Sequence, residues 1–515
     1  MRKPFGSRRI MVAFLIVLGL AAVLRGALLT HQSLWFDEGE SVSYTSHGLS
    51  GAWTALAANH SGDRVQPMYT IALAAWRGAF GSSEVALRLL SVACGILAVV
   101  LLFAAARRWF GDRQALVTML LAATSALAVY YSQEVRPYAL VLLLASLVMF
   151  AACGRARWAL AVAAGVGFLG SFLVGILVVA LALAELLVYR RPRAWLRRWY
   201  PAVLAMLPAL GLYLLASVVR DPGSVGVAQN SGSLIRNALF VPYGLLVGTT
   251  YGPPVEALHY GDAMALMKTH ALGLGGLAVV ALILAVGVTA ALRRGVLGDR
   301  ERERGLILLL TFLFTLLGSV VVAFATGVNW LPRHSICALV PLYLLLPLTA
   351  RRLWPATEGA RRRASSAVAM ASAACLVALV AMNAVALLHY YADDAYARSD
   401  YRAVADYLKQ RPATIPVVVL YGQVDLLGYY GLSGAVDGRT FSREHLSRDL
   451  TAHGLGRRSL YLVVDMEYYY WGDPGTRIGI DRMATLLGPG QRVLERRTWG
   501  SFSVYRVGPA TSGAP

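Results

Sequence analysis

Two adjacent carboxylates, Asp37 and Glu38, stand in the sequence SLWFDEGE at residues 33–40, directly after a long apolar run. A carboxylate near hydrocarbon is costly, and such residues usually serve a function. Partial desolvation raises the pKa of a carboxyl group toward values at which it can take a proton from a hydroxyl group. The segment therefore predicts a general base. The alternative is a solvated loop whose carboxylates cap the next helix.

A second group of polar residues, Glu134, Arg136 and Tyr138, lies in YSQEVRPYAL between two apolar runs. An arginine guanidinium can hold a lipid phosphate through two parallel hydrogen bonds. This segment is therefore predicted to bind an anionic donor. The alternative is a structural ion pair between Glu134 and Arg136 at a helix end.

A basic pair, Arg333 and His334, precedes a later apolar run in NWLPRHSICALVP. The pair suits an anionic headgroup at the membrane surface. The alternative is that these side chains only extend to the interface to keep their polar ends in water.

Four further polar residues are candidates for lining the same site. His60, Asp63 and Gln66 lie in NHSGDRVQP, ahead of a short apolar segment, and Lys268 ends a long polar loop. As isolated polar residues, the three in NHSGDRVQP are also explained as ordinary loop positions.

The composition indicates the kind of protein that must position these residues. The chain has 515 residues, of which 57% are hydrophobic and only 15% charged, whereas soluble chains are usually about 25% charged. A soluble enzyme and a disordered chain are both excluded as the default. The net charge of +20 is explained by basic cytoplasmic loops of a membrane protein, and no nucleic-acid-binding motif is present. Without a CxxC pair, a zinc or redox motif has no support.

Eleven apolar stretches are near the length that crosses the ~30 Å hydrocarbon core of a bilayer. They predict spans at about 10–30, 84–105, 114–131, 138–153, 157–171, 173–189, 199–219, 269–292, 305–326, 335–350 and 365–388.

The basic residues orient these spans. With the N-terminus inside, the inner segments hold 24 of the 48 lysines and arginines, whereas the outer loops before residue 389 hold seven. This asymmetry follows the positive-inside rule. It predicts a multi-pass protein of the plasma (inner) membrane with a cytoplasmic N-terminus.

The segment 67–80 is too short to span, because 14 residues of helix extend only about 21 Å. It is predicted to lie in the outer interface, after another surface helix anchored by Trp53. The membrane domain, residues 1–388, therefore has a long structured first outer loop at 31–83 and a second long outer loop at 220–268.

The tail, residues 389–515, is polar and carries alternating strand and helix signals. Buried strands are predicted in TIPVVVLYG and SLYLVVD, an amphipathic helix in YRAVADYLKQ, and two closing strands across Trp499-Gly500. The tail is predicted to be a small extracytoplasmic α/β domain.

Taken together, several of these segments resemble the glycosyltransferase family 39-like proteins of the GT-C fold. The segments are WFDEGE, QPMYTIAL, GSSEVALRLLSVACGILAVVLLFAAARRWFG and SQEVRPYAL, with LPRH and DYRAVADYLKQ similar to later landmarks. That family includes protein O-mannosyltransferases and the aminoarabinose transferases that modify lipid A. The resemblance implies a cell-envelope enzyme that transfers a sugar from a polyprenyl-phosphate carrier to an acceptor hydroxyl on a glycan, lipid or protein, with inversion of the anomeric centre.

The resemblance also implies roles for particular residues. Asp37 matches the family's catalytic acidic residue, with Glu38 beside it to orient a partner or help bind a metal. Arg136 matches a basic position in the second outer loop. The family often has His-Pro-Pro where this chain has Gln66-Pro67-Met68. Some relatives use a divalent metal and others do not, so the sequence leaves a metal cofactor open.

Two other classes of protein would also use many spans and a lipid-phosphate site: a transporter or flippase of polyprenyl-linked lipid, and a non-catalytic relative that only binds the lipid carrier. A transporter would need neither an adjacent Asp-Glu pair on a long outer loop nor a folded outer domain, whereas the non-catalytic relative stays an open alternative. Transporters often contain internal repeats, and the sequence shows none.

Overall fold

The computed structural model describes residues 7–57, 66–218, 234–254, 257, 263–293, 296–326, 330–353, 363–442, 444–456, 458–466, 480–487 and 489–510. The chain forms two compact units. The helical unit comprises Met1–Leu28, Thr45–Gly252 and Ala271–His389. The α/β unit comprises Leu29–Tyr44, Pro253–His270 and Tyr390–Pro515. The boundary between folding domains at residue 389 stays a prediction.

The described α-helices are, in chain order, α1 (Arg8–Gly26), α2 (Phe36–Tyr44), α3 (Gly48–Ala57), α4 (Pro67–Phe80), α5 (Glu84–Phe110), α6 (Asp112–Thr124), α7 (Ala126–Ser132), α8 (Tyr138–Ala152), α9 (Arg157–Gly170), α10 (Phe172–Tyr189), α11 (Pro192–Val218), α12 (Leu234–Val247), α13 (Ala263–Thr269), α14 (Ala271–Ala291), α15 (Asp299–Thr326), α16 (Leu339–Leu345), α17 (Arg363–Ala392), α18 (Tyr401–Lys409), α19 (Val424–Tyr429), α20 (Leu446–Ala452) and α21 (Ile480–Leu487). Short 3₁₀ helices cover Pro332–Ala338, Leu346–Leu353 and Asp394–Tyr396.

The described residues contain eight helices that are long and apolar enough to cross a membrane, or nine if the bent pair α6 and α7 forms one span. This confirms a polytopic helical membrane protein. Helices α8 and α9 have 15 and 14 residues and are shorter than a full span. The total of eleven spans therefore stays a prediction.

A sharp bend separates α6 from α7. Their axes differ by 58°, and Ser125 at the break caps α7 by accepting a hydrogen bond from the Ala128 N–H at 3.3 Å. The break leaves carbonyls at the end of α6 without helical partners. The fully buried Arg25 of α1 donates to two of them, on Ala122 and Ala123, at 2.9 Å each.

Both helices predicted for the first outer loop are present, and their place in the membrane interface stays a prediction. The short helix α4 begins at Pro67 and ends at Phe80, the bounds given by the sequence. Helix α3 exposes Trp53 to 67%, as expected of an aromatic anchor in an interface.

The α/β unit is built on a five-stranded mixed sheet with the order β2-β1-β3-β5-β4. The strands are β1 (Val417–Tyr421), β2 (Val436–Asp437), β3 (Leu460–Val464), β4 (Gln491–Trp499) and β5 (Phe502–Pro509). Strand β1 pairs in parallel with β2 and β3, and β5 pairs antiparallel with β3 and β4. Strand β3 is buried along its whole length, as a continuous apolar run predicts.

The sequence located four of the five strands and the helix α18 correctly, whereas β2 was not predicted. Helix α18 and strands β1 and β3 lie within the predicted segments. The closing hairpin turns after Trp499, where Gly500 adopts a positive φ of 54°. Glycine adopts this conformation without steric cost.

Candidate functional site

Asp37 and Glu38 lie in the first turn of α2, in the α/β unit, and the structure gives them different environments. Glu38 is fully buried, and its Oε2 accepts a hydrogen bond from the Trp35 N–H at 3.3 Å. That contact is one half of a helix capping box. Asp37 is only partly buried. Of the two carboxylates, Asp37 is therefore the one that a substrate can reach.

Arg398 engages Glu38 from a distant part of the chain. Its Nη1 lies 3.7 Å from Glu38 Oε2, and the two side chains are 4% and 0% exposed. The guanidinium also sits 5.7 Å from the ring centres of both Trp35 and Tyr390. A buried carboxylate needs a partner of this kind, because burial of an unpaired charge is strongly unfavourable.

The second predicted group forms the connection between α7 and α8 in the helical unit. Glu134 and Arg136 are buried, at 1% and 8% exposure, and Tyr138 begins α8. The adjoining Gln133 ties this connection to the end of α1, because its Nε2 donates to the carbonyls of Leu24, Arg25 and Ala27 at 2.8–3.3 Å. The side-chain amide of Gln133 thereby binds carbonyls that the end of α1 leaves without helical partners.

Tyr131 shows which charged groups meet around this connection. Its ring lies 4.7 Å from that of Tyr138, and its hydroxyl is within electrostatic reach of Glu134 and Arg333. The structure therefore brings together Glu134, Tyr138 and Arg333 from two of the predicted segments. Arg333 attracts an anion to this neighbourhood, whereas the Glu134 carboxylate repels one, and Arg136 belongs to the same connection by its place in the sequence.

His334 has a local structural contact. Its Nδ1 accepts the Leu331 N–H at 3.3 Å, at the start of the 3₁₀ helix Pro332–Ala338. That 3₁₀ helix packs against α8 and α12, which places Arg333 beside the α7–α8 connection.

The structure describes two of the four remaining predicted residues. Gln66 stands at the N-terminus of α4, where its Oε1 accepts a hydrogen bond from Ser171 Oγ at 3.4 Å. Lys268 is exposed on α13 in the α/β unit. His60 and Asp63 lie outside the described residues.

The donor set for a divalent metal is small in the described part of the chain. Among those residues, no three His, Cys, Asp or Glu side chains converge, and Glu38 is occupied by Arg398 and the Trp35 amide. The described side chains therefore do not make a metal-binding set, and the chemistry proposed below has no step through a metal.

Two arginines that organise these regions were missed in the sequence. Arg25 had a detectable signal, because a lone charge inside an apolar run is costly unless it has partners. Arg398 had none: its partner Glu38 is remote in the sequence, and only the folded α/β unit joins them.

Comparison with known proteins identifies the fold. A family model described as dolichyl-phosphate-mannose-protein mannosyltransferase matches residues 64–219. No curated protein matches the chain by sequence. Among solved structures, ArnT from Cupriavidus metallidurans bound to undecaprenyl phosphate has a TM-score of 0.51 at 16% identity, covering 99% of this chain and 100% of that one. An oligosaccharyltransferase from Archaeoglobus fulgidus, tethered to an acceptor peptide, has a TM-score of 0.50 at 12% identity, covering 97% of this chain and 74% of that one.

These matches confirm the predicted fold: the chain has the GT-C fold of membrane glycosyltransferases, with a small sheet region toward its C-terminus. At these identities the structural likeness is one of fold. Function therefore has to be argued from the residues themselves.

Proposed function

We propose that this protein is an inverting glycosyltransferase that moves a sugar from a polyprenyl-phosphate carrier to an acceptor hydroxyl at the outer face of the membrane. The observation that carries the proposal is the division between the two carboxylates of α2. Glu38 is buried in a cap and an ion pair, whereas Asp37 beside it is partly exposed. The GT-C fold and the undecaprenyl phosphate bound by the ArnT structure support a lipid-phosphate donor.

In the proposed reaction, the acceptor oxygen attacks the anomeric carbon of the donor sugar. The bond between that carbon and the phosphate oxygen breaks, and the electron pair leaves with polyprenyl phosphate. Asp37 accepts the proton of the acceptor hydroxyl as the new glycosidic bond forms. Attack opposite the leaving group inverts the anomeric centre in this single displacement.

The leaving phosphate gains negative charge, and positioned cations lower the energy of such a charge as it develops. Arg136 and Arg333 are proposed for this role because they belong to the neighbourhood of the α7–α8 connection. Glu134 and Tyr138 border the same connection and are proposed to orient the arginines. His334 caps the first turn of the 3₁₀ helix Pro332–Ala338 and is proposed to contribute to donor binding through that helix.

The proposal also specifies the orientation of the protein in the membrane and the acceptor of the sugar. The arrangement of basic residues supports a cytoplasmic N-terminus, with the α/β unit outside. The acceptor is proposed to be a hydroxyl of a cell-envelope glycan, lipid or protein.

The test replaces each carboxylate of α2 by its amide in purified protein reconstituted with a polyprenyl-phosphate sugar and an envelope extract as acceptor. Asp37→Asn keeps the size of the side chain but cannot accept the proton. General base catalysis contributes typically about 10²–10⁴-fold, so turnover should fall by about that factor while donor binding persists.

Glu38→Gln is the matched comparison, because it removes the neighbouring charge. Near wild-type turnover in Asp37→Asn with an inactive Glu38→Gln would mean that Glu38 is the base. Full activity in both variants would remove this segment from the chemistry and favour a transporter.

A further inference from the structure

The carboxyl ends of the parallel strands β1 and β3 form one edge of the sheet in the α/β unit, and such an edge usually binds ligands. In α/β proteins, ligands bind outside the carboxyl ends of parallel strands. Strand β1 is followed here by Gly422 and Gln423, and β3 is followed by Asp465. The segment of residues 33–43, which carries Asp37, contacts this edge, so the chain's own segment lies where a ligand usually binds.

Side chains of α2 pack directly on the end of β1. Phe36 stacks on Tyr421, with ring centres 5.5 Å apart and planes 16° apart. A Cβ at Gly39 would lie only 3.0 Å from Cγ of Gln423. This close approach favours glycine here, because any larger residue would require the side chain of Gln423 to shift by a few tenths of an ångström. Ser43 adds a hydrogen bond to Asp425 at 2.6 Å.

A fully buried carboxylate organises the end of β3. Asp465 accepts hydrogen bonds from Ser399, Ser501 and Tyr401 at 2.8, 2.7 and 2.9 Å. Such a network is rigid when every member is satisfied.

The segment before α2 is bonded to the same network. Ser33 Oγ donates to the carbonyl of Ser399 at 3.2 Å and accepts the Tyr401 N–H at 3.1 Å. The Leu34 N–H donates to the Tyr430 hydroxyl at 2.7 Å. These bonds hold the chain on one side of α2.

Arg398 holds the first turn of α2 itself. Besides the ion pair with Glu38, its backbone N–H donates to Gln32 Oε1 at 3.3 Å. Asp37 is the residue next to Glu38, so a rotation of the first turn redirects its carboxylate. Catalytic geometry is sensitive to such changes, because a misplacement of about 1 Å can cost roughly 10²-fold in rate.

We propose that the tail segment of the α/β unit, Tyr390–Pro515, serves to hold α2 in its catalytic orientation, with Arg398 and Asp465 as positioning residues. The proposal rests on the proposed role of Asp37 as the base. It gives the polar tail a function in catalysis and requires no ligand of its own at the sheet edge.

The test is Arg398→Met in the full-length reconstituted protein. Turnover should fall roughly tenfold or more, while the Michaelis constant for the donor stays the same, because lost orientation affects the chemical step. Hydrogen exchange of the peptide covering residues 36–44 should accelerate, whereas that of β3 and β5 should not. Arg439→Met is the matched control, because Arg439 pairs with Asp437 on the exposed surface of the same unit.

Two further variants separate positioning from general loss of structure. Arg398→Lys keeps the charge and should recover part of the turnover. Glu38→Gln combined with Arg398→Met removes the buried charge that the single variant leaves without its partner, so the two effects should not add. If Arg398→Met fails to fold, the lysine variant carries the exchange measurement.

Unchanged turnover and unchanged exchange in residues 36–44 would overturn the proposal, as would equal acceleration in β3 and β5. Failure of the proposed function looks different. In that case Asp37→Asn itself stays active, whereas an inactive Asp37→Asn beside a fully active Arg398→Met rejects only the positioning role.

Discussion

In the helical unit, arginine side chains donate hydrogen bonds to backbone carbonyls where helices end. Arg25, Arg198 and Arg304 reach carbonyls in the last turns of α6, α8 and α5, at 2.9, 2.6 and 2.6 Å. In the α/β unit, the fully buried charges Glu38 and Asp465 are carboxylates, which receive hydrogen bonds from amides or hydroxyls.

The difference follows from the surroundings. The carbonyls that the fully buried Arg25 reaches have no water to serve them, and at all three helix ends a cation suits the negative end of the helix dipole. The α/β unit instead holds carboxylates among converging donors, next to the segment that carries the proposed base. The buried arginines at helix ends therefore support the architecture of the helical unit, whereas in our proposal the buried charges of the α/β unit orient the segment that carries Asp37.

Removing an arginine that serves helix ends should have the largest effect on stability. Arg25→Met takes the donors away from Ala122 and Ala123. Hydrogen bonds to charged groups are worth about 1.5–3 kcal/mol each, so thermal unfolding in nanodiscs should show a loss of at least that size. Arg9→Met is the control on the same helix, since Arg9 is exposed. Equal melting temperatures for the two variants would contradict the role of Arg25 in stabilising the end of α6.

Replacing the proposed phosphate ligand should have an intermediate effect. Arg136→Lys keeps the charge but loses the planar fork that binds two phosphate oxygens. Donor affinity should weaken roughly tenfold, which corresponds to about 1.4 kcal/mol. The measurement is the dissociation constant for a polyprenyl-phosphate sugar. An unchanged constant would move the phosphate site toward Arg333.

The buried carboxylate of the α/β unit should show itself in the pH dependence of stability. Burial raises the pKa of Asp465, against the lowering effect of its hydrogen bonds from Ser501, Ser399 and Tyr401. The folded state therefore holds this proton to higher pH than the unfolded state does. The contribution of Asp465 to the free energy of unfolding is complete at a pH below its pKa in the unfolded state. That contribution is lost as the pH rises through its pKa in the folded state, with a limiting slope of about 1.4 kcal/mol per pH unit.

Asp465→Asn removes this titration. The difference in unfolding free energy between wild type and variant, measured by hydrogen exchange of β3, should move in favour of the variant as pH rises above the unfolded pKa. A difference that stays constant with pH would contradict the account.

The smallest effect is expected at the exposed pair of Arg439 and Asp437. The guanidinium holds the pKa of Asp437 below its usual range, but both side chains are nearly half exposed. Solvent screening limits such pairs to about 0–1 kcal/mol. Arg439→Met should leave turnover unchanged and barely alter thermal stability. A loss of thermal stability as large as that of Arg25→Met would show that exposure does not distinguish the Arg439–Asp437 pair from the buried hydrogen bonds of Arg25.

Much of the fold could be predicted from the sequence because apolar runs and turn residues are local signals. They located α4, four of the five strands of the sheet and the glycine turn of the last hairpin, but not the two-residue strand β2. The number of membrane spans was harder to predict from the sequence. The rise of 1.5 Å per residue makes α8 and α9 only about 21–23 Å long, and hydropathy alone does not show how such short helices cross.

The candidate site could be predicted only in part, for a physical reason. Asp37 and Arg136 stand in recognisable local segments. The contacts of the neighbouring residues are set by tertiary packing: Glu38 meets Arg398, and Gln133 meets the carbonyls at the end of α1. No local pattern records such contacts.

The central claim is that the donor is cleaved and its sugar transferred. It is tested most directly by quantifying polyprenyl phosphate and glycosylated acceptor together, in sealed proteoliposomes supplied with a polyprenyl-phosphate sugar and an envelope extract. The account predicts one polyprenyl phosphate released for each sugar transferred, an inverted anomeric centre in the product, and loss of both signals in Asp37→Asn. Passage of the intact lipid-linked sugar across the bilayer, with no polyprenyl phosphate released, would contradict it.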